Sequence, residues 1–152
     1  MERHHQVLLN QVRTFRQDVL DVVQDVTEKE AEFIPKNFRN NIRWNLGHIY
    51  LDQFMWIETL TDKSSETVKR FNNWFGFGTT PQDFTSETPK LDELVSLLKG
   101  QPDVIEDLYV NRLNREYPSI DMGMYTIEQV LVRTIFHEGM HLQAIMDIKK
   151  FL

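Results

Sequence analysis

The run F-H-E-G-M-H near the end of the sequence puts His137 and His141 four residues apart with Glu138 between them. On a helix that spacing turns both imidazoles to one face, the arrangement of H-E-x-x-H zinc sites in which the glutamate is the general base. A zinc site also needs a third protein ligand. Between His141 and Leu152 the only acidic residue is Asp147, six positions on and on the opposite face of the same helix, and there is no further histidine. A peptidase of the H-E-x-x-H type is therefore the least favoured reading, and the third ligand has to be sought upstream. His48, in W-N-L-G-H, is the candidate. It sits mid-helix on a stripe that also carries Asn41, Asn45 and Asp52, and bundles build metal sites from side chains on facing helices. His4 and His5 lie near the N-terminus and are expected at the surface.

The elements that must position these residues are helical. Leu8, Val12, Phe15, Val19, Val22 and Val26 recur at spacings of four and three and predict a helix over roughly 4–27. A second helix starts at Asn40 or Asn41, with Ile42, Leu46, Ile49, Trp56 and Leu60 on one stripe. Thr88-Pro89 predicts the start of a third, which Gly100 and Pro102 should kink or break. Thr126-Ile-Glu-Gln129 is a capping box opening a fourth helix over about 127–150. Its expected seam is Val130, Thr134, His137, His141, Ala144, Ile148 and Phe151, so the two histidines stand where leucines would serve. A buried polar ring needs a partner. One metal ion would serve both rings; hydrogen bonds to core neighbours are the alternative. The segment 27–35 reads as a connection. Residues 63–88, with R-F-N-N-W-F-G-F-G-T-T-P, read as an aromatic loop that either covers a site or tucks Phe71, Trp74, Phe75 and Phe77 onto the bundle. Four such helices without strands predict an all-α helical bundle, and the long 63–88 break permits a crossover connection.

Composition bounds the rest. A chain of 152 residues with 41% hydrophobic and 26% charged content predicts a single domain spanning 1–152 with its own core. The net charge of −6, with no basic block larger than Lys69–Arg70 or Lys149–Lys150, argues against a nucleic-acid surface. No apolar run is long enough for a membrane span, and the N-terminus lacks the apolar core of a signal peptide. With no cysteine there are no disulfides and no thiolate ligands. Together these predict a cytoplasmic protein that contacts neither membrane nor nucleic acid.

Three stretches, in order along nearly the whole chain, carry a family resemblance: N-N-I-R-W-N-L-G-H-I-Y, the aromatic loop F-N-N-W-F-G-F-G-T-T-P, and T-I-E-Q-V-L-V-R-T-I-F-H-E-G-M-H-L-Q-A-I. Together they resemble the DinB/YfiT-like proteins. The resemblance implies a four-helix bundle with one long crossover and a divalent ion, often zinc or nickel; imidazole ligands leave iron or manganese open as well. It implies His48, His137 and His141 as the metal ligands, and a homodimer. It also implies a small-molecule substrate, with a low-molecular-weight thiol as cosubstrate in some members.

Three neutral imidazoles would leave such an ion with its full charge and an open position. That suits activation of water or of a thiol, for hydrolysis or transfer; without cysteine the thiol must come from a cosubstrate. A bundle that binds metal or a small molecule without turnover is the competing reading. Glu138, about 100° around the helix from His137, is the candidate catalytic base, with a solvated helix residue as the alternative. Asn45 and Asp52, one turn either side of His48, either orient the ligand or face solvent. For Arg133 an ion pair with Glu128 or Glu138 is preferred to a clamp on a substrate carboxylate. Trp44 reads as packing or pocket wall, and Met140 and Met146 as core filler.

Overall fold

The computed structural model describes residues 1–152, all helix and connection with no strand. Six helices follow one another: α1 Arg3–Val23, α2 Glu28–Glu32, α3 Ile42–Leu60, α4 Glu66–Phe75, α5 Leu91–Tyr109 and α6 Ile127–Lys149. The four long ones enclose the core, α1 and α3 each packing against both α5 and α6. α3 is the most enclosed: every residue from Asn41 to Ile49 is buried, because α2, α4, α5 and α6 all lie against it.

Most helix starts follow from local sequence. Asn41 caps α3 by accepting from the Trp44 N–H at 2.8 Å, and the Thr126–Gln129 capping box opens α6. Two further starts were not anticipated. Thr27 and Glu30 form a reciprocal capping box that makes α2 out of the expected connection. Ser65 caps α4, so the first part of the expected aromatic loop, Glu66–Phe75, is a helix. Its Val68, Phe71 and Phe75 share one helical stripe; Phe71, Trp74 and Phe75 are buried, whereas Phe77 just beyond is fully exposed.

The third long helix begins later than Thr88-Pro89, at Leu91. Its first free N–H groups, on Leu91 and Asp92, are capped from outside by the two oxygens of the Glu28 carboxylate, each at 3.2 Å. The expected break at Gly100–Pro102 does not occur: α5 runs through Pro102. A proline deprives the carbonyl four residues back of its donor. Here that carbonyl, on Leu98, accepts instead from Arg16 Nη1 at 2.8 Å.

Arg16 also corrects the expected face of α1. Phe15, placed on the core stripe by its spacing, is 41% exposed, and Arg16 is buried in its stead. α6 is rotated in the same sense. Its buried face runs Ile127, Val130, Leu131, Thr134, Glu138, Ile145 and Ile148. His137 and His141 are half-buried at the flank of that face, and Phe151, Met140 and Met146 are exposed rather than core.

Candidate metal centre

α3 and α6 face each other so that one ring nitrogen from each of His48, His137 and His141 lies within 4.8 Å of the others. The three rings are held from behind. His48 Nδ1 meets the Phe75 carbonyl at 2.6 Å. His137 Nδ1 is 3.1 Å from Asp52 Oδ2, and His141 Nδ1 is 2.8 Å from Asn45 Oδ1. The Asn45 amide is oriented by donating its Nδ2 to the Asn41 carbonyl at 2.8 Å, which leaves its oxygen for the imidazole. Each partner is an acceptor, so each Nδ1 carries the proton and each Nε2 presents a bare lone pair.

This is the pattern of metal-ligating histidines, whose second nitrogen is fixed by an acceptor in the next layer. The Nε2 atoms of His137 and His141 stand 3.3 Å apart. Two lone pairs at that distance repel unless a cation lies against both, and nitrogens each about 2.0–2.1 Å from a tetrahedral zinc ion sit roughly 3.3–3.4 Å apart. The donor set therefore fits a divalent ion.

Electrostatics agree. Burial and the two neighbouring rings push His141 down to about 3, and burial lowers His48. Both are neutral near pH 7, as ligands must be. Burial works against the Asp52 carboxylate, but its bonds and charge interactions with His137 and Arg133 outweigh that and hold it below its ordinary value. Arg133 pairs with Asp52, not with Glu128 or Glu138, and its guanidinium lies 4.7 Å over the Trp56 ring. Trp56 in turn donates to Asp52 Oδ1 at 3.1 Å.

Two residues that sequence reasoning passed over shape this layer. The Phe75 carbonyl is backbone, so no side-chain pattern advertises it. Gly47 allows it to arrive: a β-carbon there would stand 2.3 Å from the Phe75 ring. The available signal was a glycine inside a helix, costly by about 1 kcal/mol relative to alanine, immediately before the histidine. Trp44 stacks on His48 with centroids 4.7 Å apart and planes at 12°, and donates to Thr79 Oγ1 at 2.8 Å. It forms a wall of a cavity of about 410 Å³ that opens onto the three histidines.

Glu138 is not brought to them. Its side chain leaves the other side of α6 and is 4% exposed, bound by Arg16 Nε at 2.6 Å and Nη2 at 3.2 Å. It does not line the histidine cavity. His5, expected at the surface, is also buried, with Nε2 2.9 Å from Glu128 Oε2, pinning the start of α1 to the start of α6. Glu2, His4 and His5 make a second group with ligand spacing, of which only His5 is buried.

No helix is long and apolar enough to cross a membrane. No curated protein matches the chain closely enough to serve as a relative. A family model described as the DinB superfamily matches residues 11–145 of the 152, so the chain belongs to that superfamily.

Proposed function

We propose that this member of the DinB superfamily is a metal-dependent enzyme that transforms a small molecule, with His48, His137 and His141 holding one divalent ion, zinc or nickel first. What carries this reading is the set of three imidazoles whose Nδ1 protons are all engaged by acceptors, leaving three convergent Nε2 lone pairs. A divalent ion with three neutral ligands supplies Lewis acidity to an oxygen or sulfur of water or of a low-molecular-weight thiol, for transfer or hydrolysis.

The chain's own groups do the rest. Phe75, Asp52 and Asn45 fix the tautomers and aim the rings. Asp52 adds a compensating negative charge behind His137, and Arg133 and Trp56 hold that carboxylate in place. Trp44 shields one face of His48. Glu138 is read as a structural anion rather than a base, because Arg16 occupies both of its oxygens. The H-E-x-x-H peptidase reading loses its base on the same observation.

In this reading α1, α3, α5 and α6 form one four-helix bundle domain over 1–152, and the segment between α3 and α5 is the crossover that delivers Phe75. The protein is proposed to work as a cytoplasmic homodimer.

Metal analysis of tag-free protein under zinc or nickel supplementation tests the premise. About one ion per chain is expected in the wild type and none in the H48A/H137A/H141A variant; equal, trace content in both defeats the proposal. Turnover of electrophiles with a panel of thiols, present in the loaded wild type and absent from the variant, separates an enzyme from a bundle that only binds.

A further inference from the structure

The cavity over the histidines has a charge opposite to that of the protein. The chain carries 23 acidic residues against 17 basic ones, yet no carboxylate lines this cavity, and its rim carries Arg39. Arg43 is tied to Glu32 and Arg133 to Asp52. Arg39 is exposed and has no acidic partner within 4 Å. Asp52, the acid behind His137, is buried and already paired with Arg133. Apart from Asn40, whose buried Oδ1 has no hydrogen-bond partner, the remaining rim is apolar. Phe77 projects fully into solvent and Met140 is more than half exposed, both lining the same opening as half-buried Phe38. Water is a poor neighbour for such a rim, and an apolar ligand body would remove it from water.

We propose that Arg39 is the specificity-determining residue of this cavity, and that the ligand is a small amphipathic carboxylate: an apolar body against Phe77, Met140 and Phe38, with its anionic end on the Arg39 guanidinium. A planar guanidinium takes a carboxylate through two parallel hydrogen bonds, and about 410 Å³ accommodates a ligand of small-metabolite size. The inference rests on the metal-centre reading only in that both concern one cavity. Arg39 acts on the far end of the ligand from the histidines.

The test is binding of three matched probes, 3-phenylpropionate, 3-phenylpropionamide and 3-phenylpropylamine, to the full-length, tag-free protein. It is read by calorimetry and by intrinsic tryptophan fluorescence, in zinc-loaded and in chelator-stripped samples. The carboxylate is expected to bind about tenfold or more tighter than the amide, with the amine weakest. Arg39→Gln should erase about tenfold of the carboxylate affinity while leaving amide binding and zinc content unchanged. Arg39→Lys should restore part of it. Equal binding of carboxylate and amide, an Arg39→Gln variant that binds the carboxylate like wild type, or no detectable carboxylate binding overturns the inference. Zinc content measured on the same samples keeps the two readings apart. A loaded protein without Arg39-dependent selectivity defeats only the role of Arg39; an Arg39-dependent preference in protein that takes up no zinc defeats only the metal centre.

Discussion

Two polar clusters lie on either side of α6, seeded by adjacent residues, and they differ in one respect. Around Glu138 every group is matched. The five N–H donors of Arg16 make five bonds: two to Glu138 and one each to Gln53, Gln101 and the Leu98 carbonyl. Gln53 donates onward to Thr134 and Gln101 to the Tyr50 carbonyl. Around His137 the outer layer is equally complete, but three Nε2 lone pairs converge with no donor among them. A closed network ties four helices together and asks for nothing more. An open one asks for a cation. Burial of polar side chains is common to both, so burial alone does not mark a functional site; an unmatched inner layer within a fully matched outer one does.

That contrast breaks most severely at Arg16. Arg16→Met should cost about 3–5 kcal/mol, because it strands a buried Glu138 carboxylate. Arg16→Met/Glu138→Leu should recover most of the loss, both read by urea unfolding. Glu138→Gln, if folded, should keep its metal and its turnover. A folded Glu138→Gln protein with full metal and no turnover would return the base role to Glu138 and erase the distinction between the clusters.

On the open side, Asp52→Ala and Asn45→Ala should each weaken metal binding by about 10–100-fold, the usual consequence of losing the acceptor behind a ligand. Competition with a chromophoric chelator measures it. Undiminished affinity would mean that the outer layer does not orient the rings.

Gly47→Ala tests whether the acceptor at the end of α4 matters. The added methyl group must displace the Phe75 ring, at a cost of about 1–3 kcal/mol typical of overpacking. It should also lower metal affinity by taking the carbonyl from His48. A variant that is destabilised but binds metal like wild type would separate packing from orientation.

A last effect is on pH dependence in chelator-stripped protein. His141 lies at about 3 in the fold against an ordinary 6.5, and His48 is lowered in the same sense. The unfolded chain therefore takes up protons first, and stability falls as pH drops below about 6.5, flattening only near the folded values. The H48A/H137A/H141A variant should lose this slope between pH 6.5 and 5, above the range in which carboxylates titrate. An identical slope in variant and wild type would place its origin elsewhere.

How far the site could be read from sequence follows from the same comparison. His137 and His141 share a face because the helix period dictates it, and His48 was reachable because its stripe also carried Asn45 and Asp52. The outer layer was half legible: Asn45 and Asp52 were candidates for orienting a ligand, whereas Phe75 reaches His48 through a backbone carbonyl, for which side-chain type gives no clue. α2 and α4 were missed although the Thr27–Glu30 box and the Val68–Phe71–Phe75 stripe were present, because Pro35 marked 27–35 as a connection and glycine and aromatic density marked 63–88 as a loop.

What the sequence determined by itself was what local rules govern: helical periodicity, the caps at Asn41 and Thr126, the histidine pair and the sign of the net charge. Tertiary structure decided which way each helix turned. Spacing put Phe15 and His137 on core seams, but a buried guanidinium from Arg16 found Glu138, two glutamines and the carbonyl freed by Pro102, and that set α1 and α6 about one residue away from the expected faces. Periodicity defines a stripe only to within a residue. The choice within that margin depends on partners supplied by other helices, and it sent Glu138 into the core and left the histidines at the edge of a cavity.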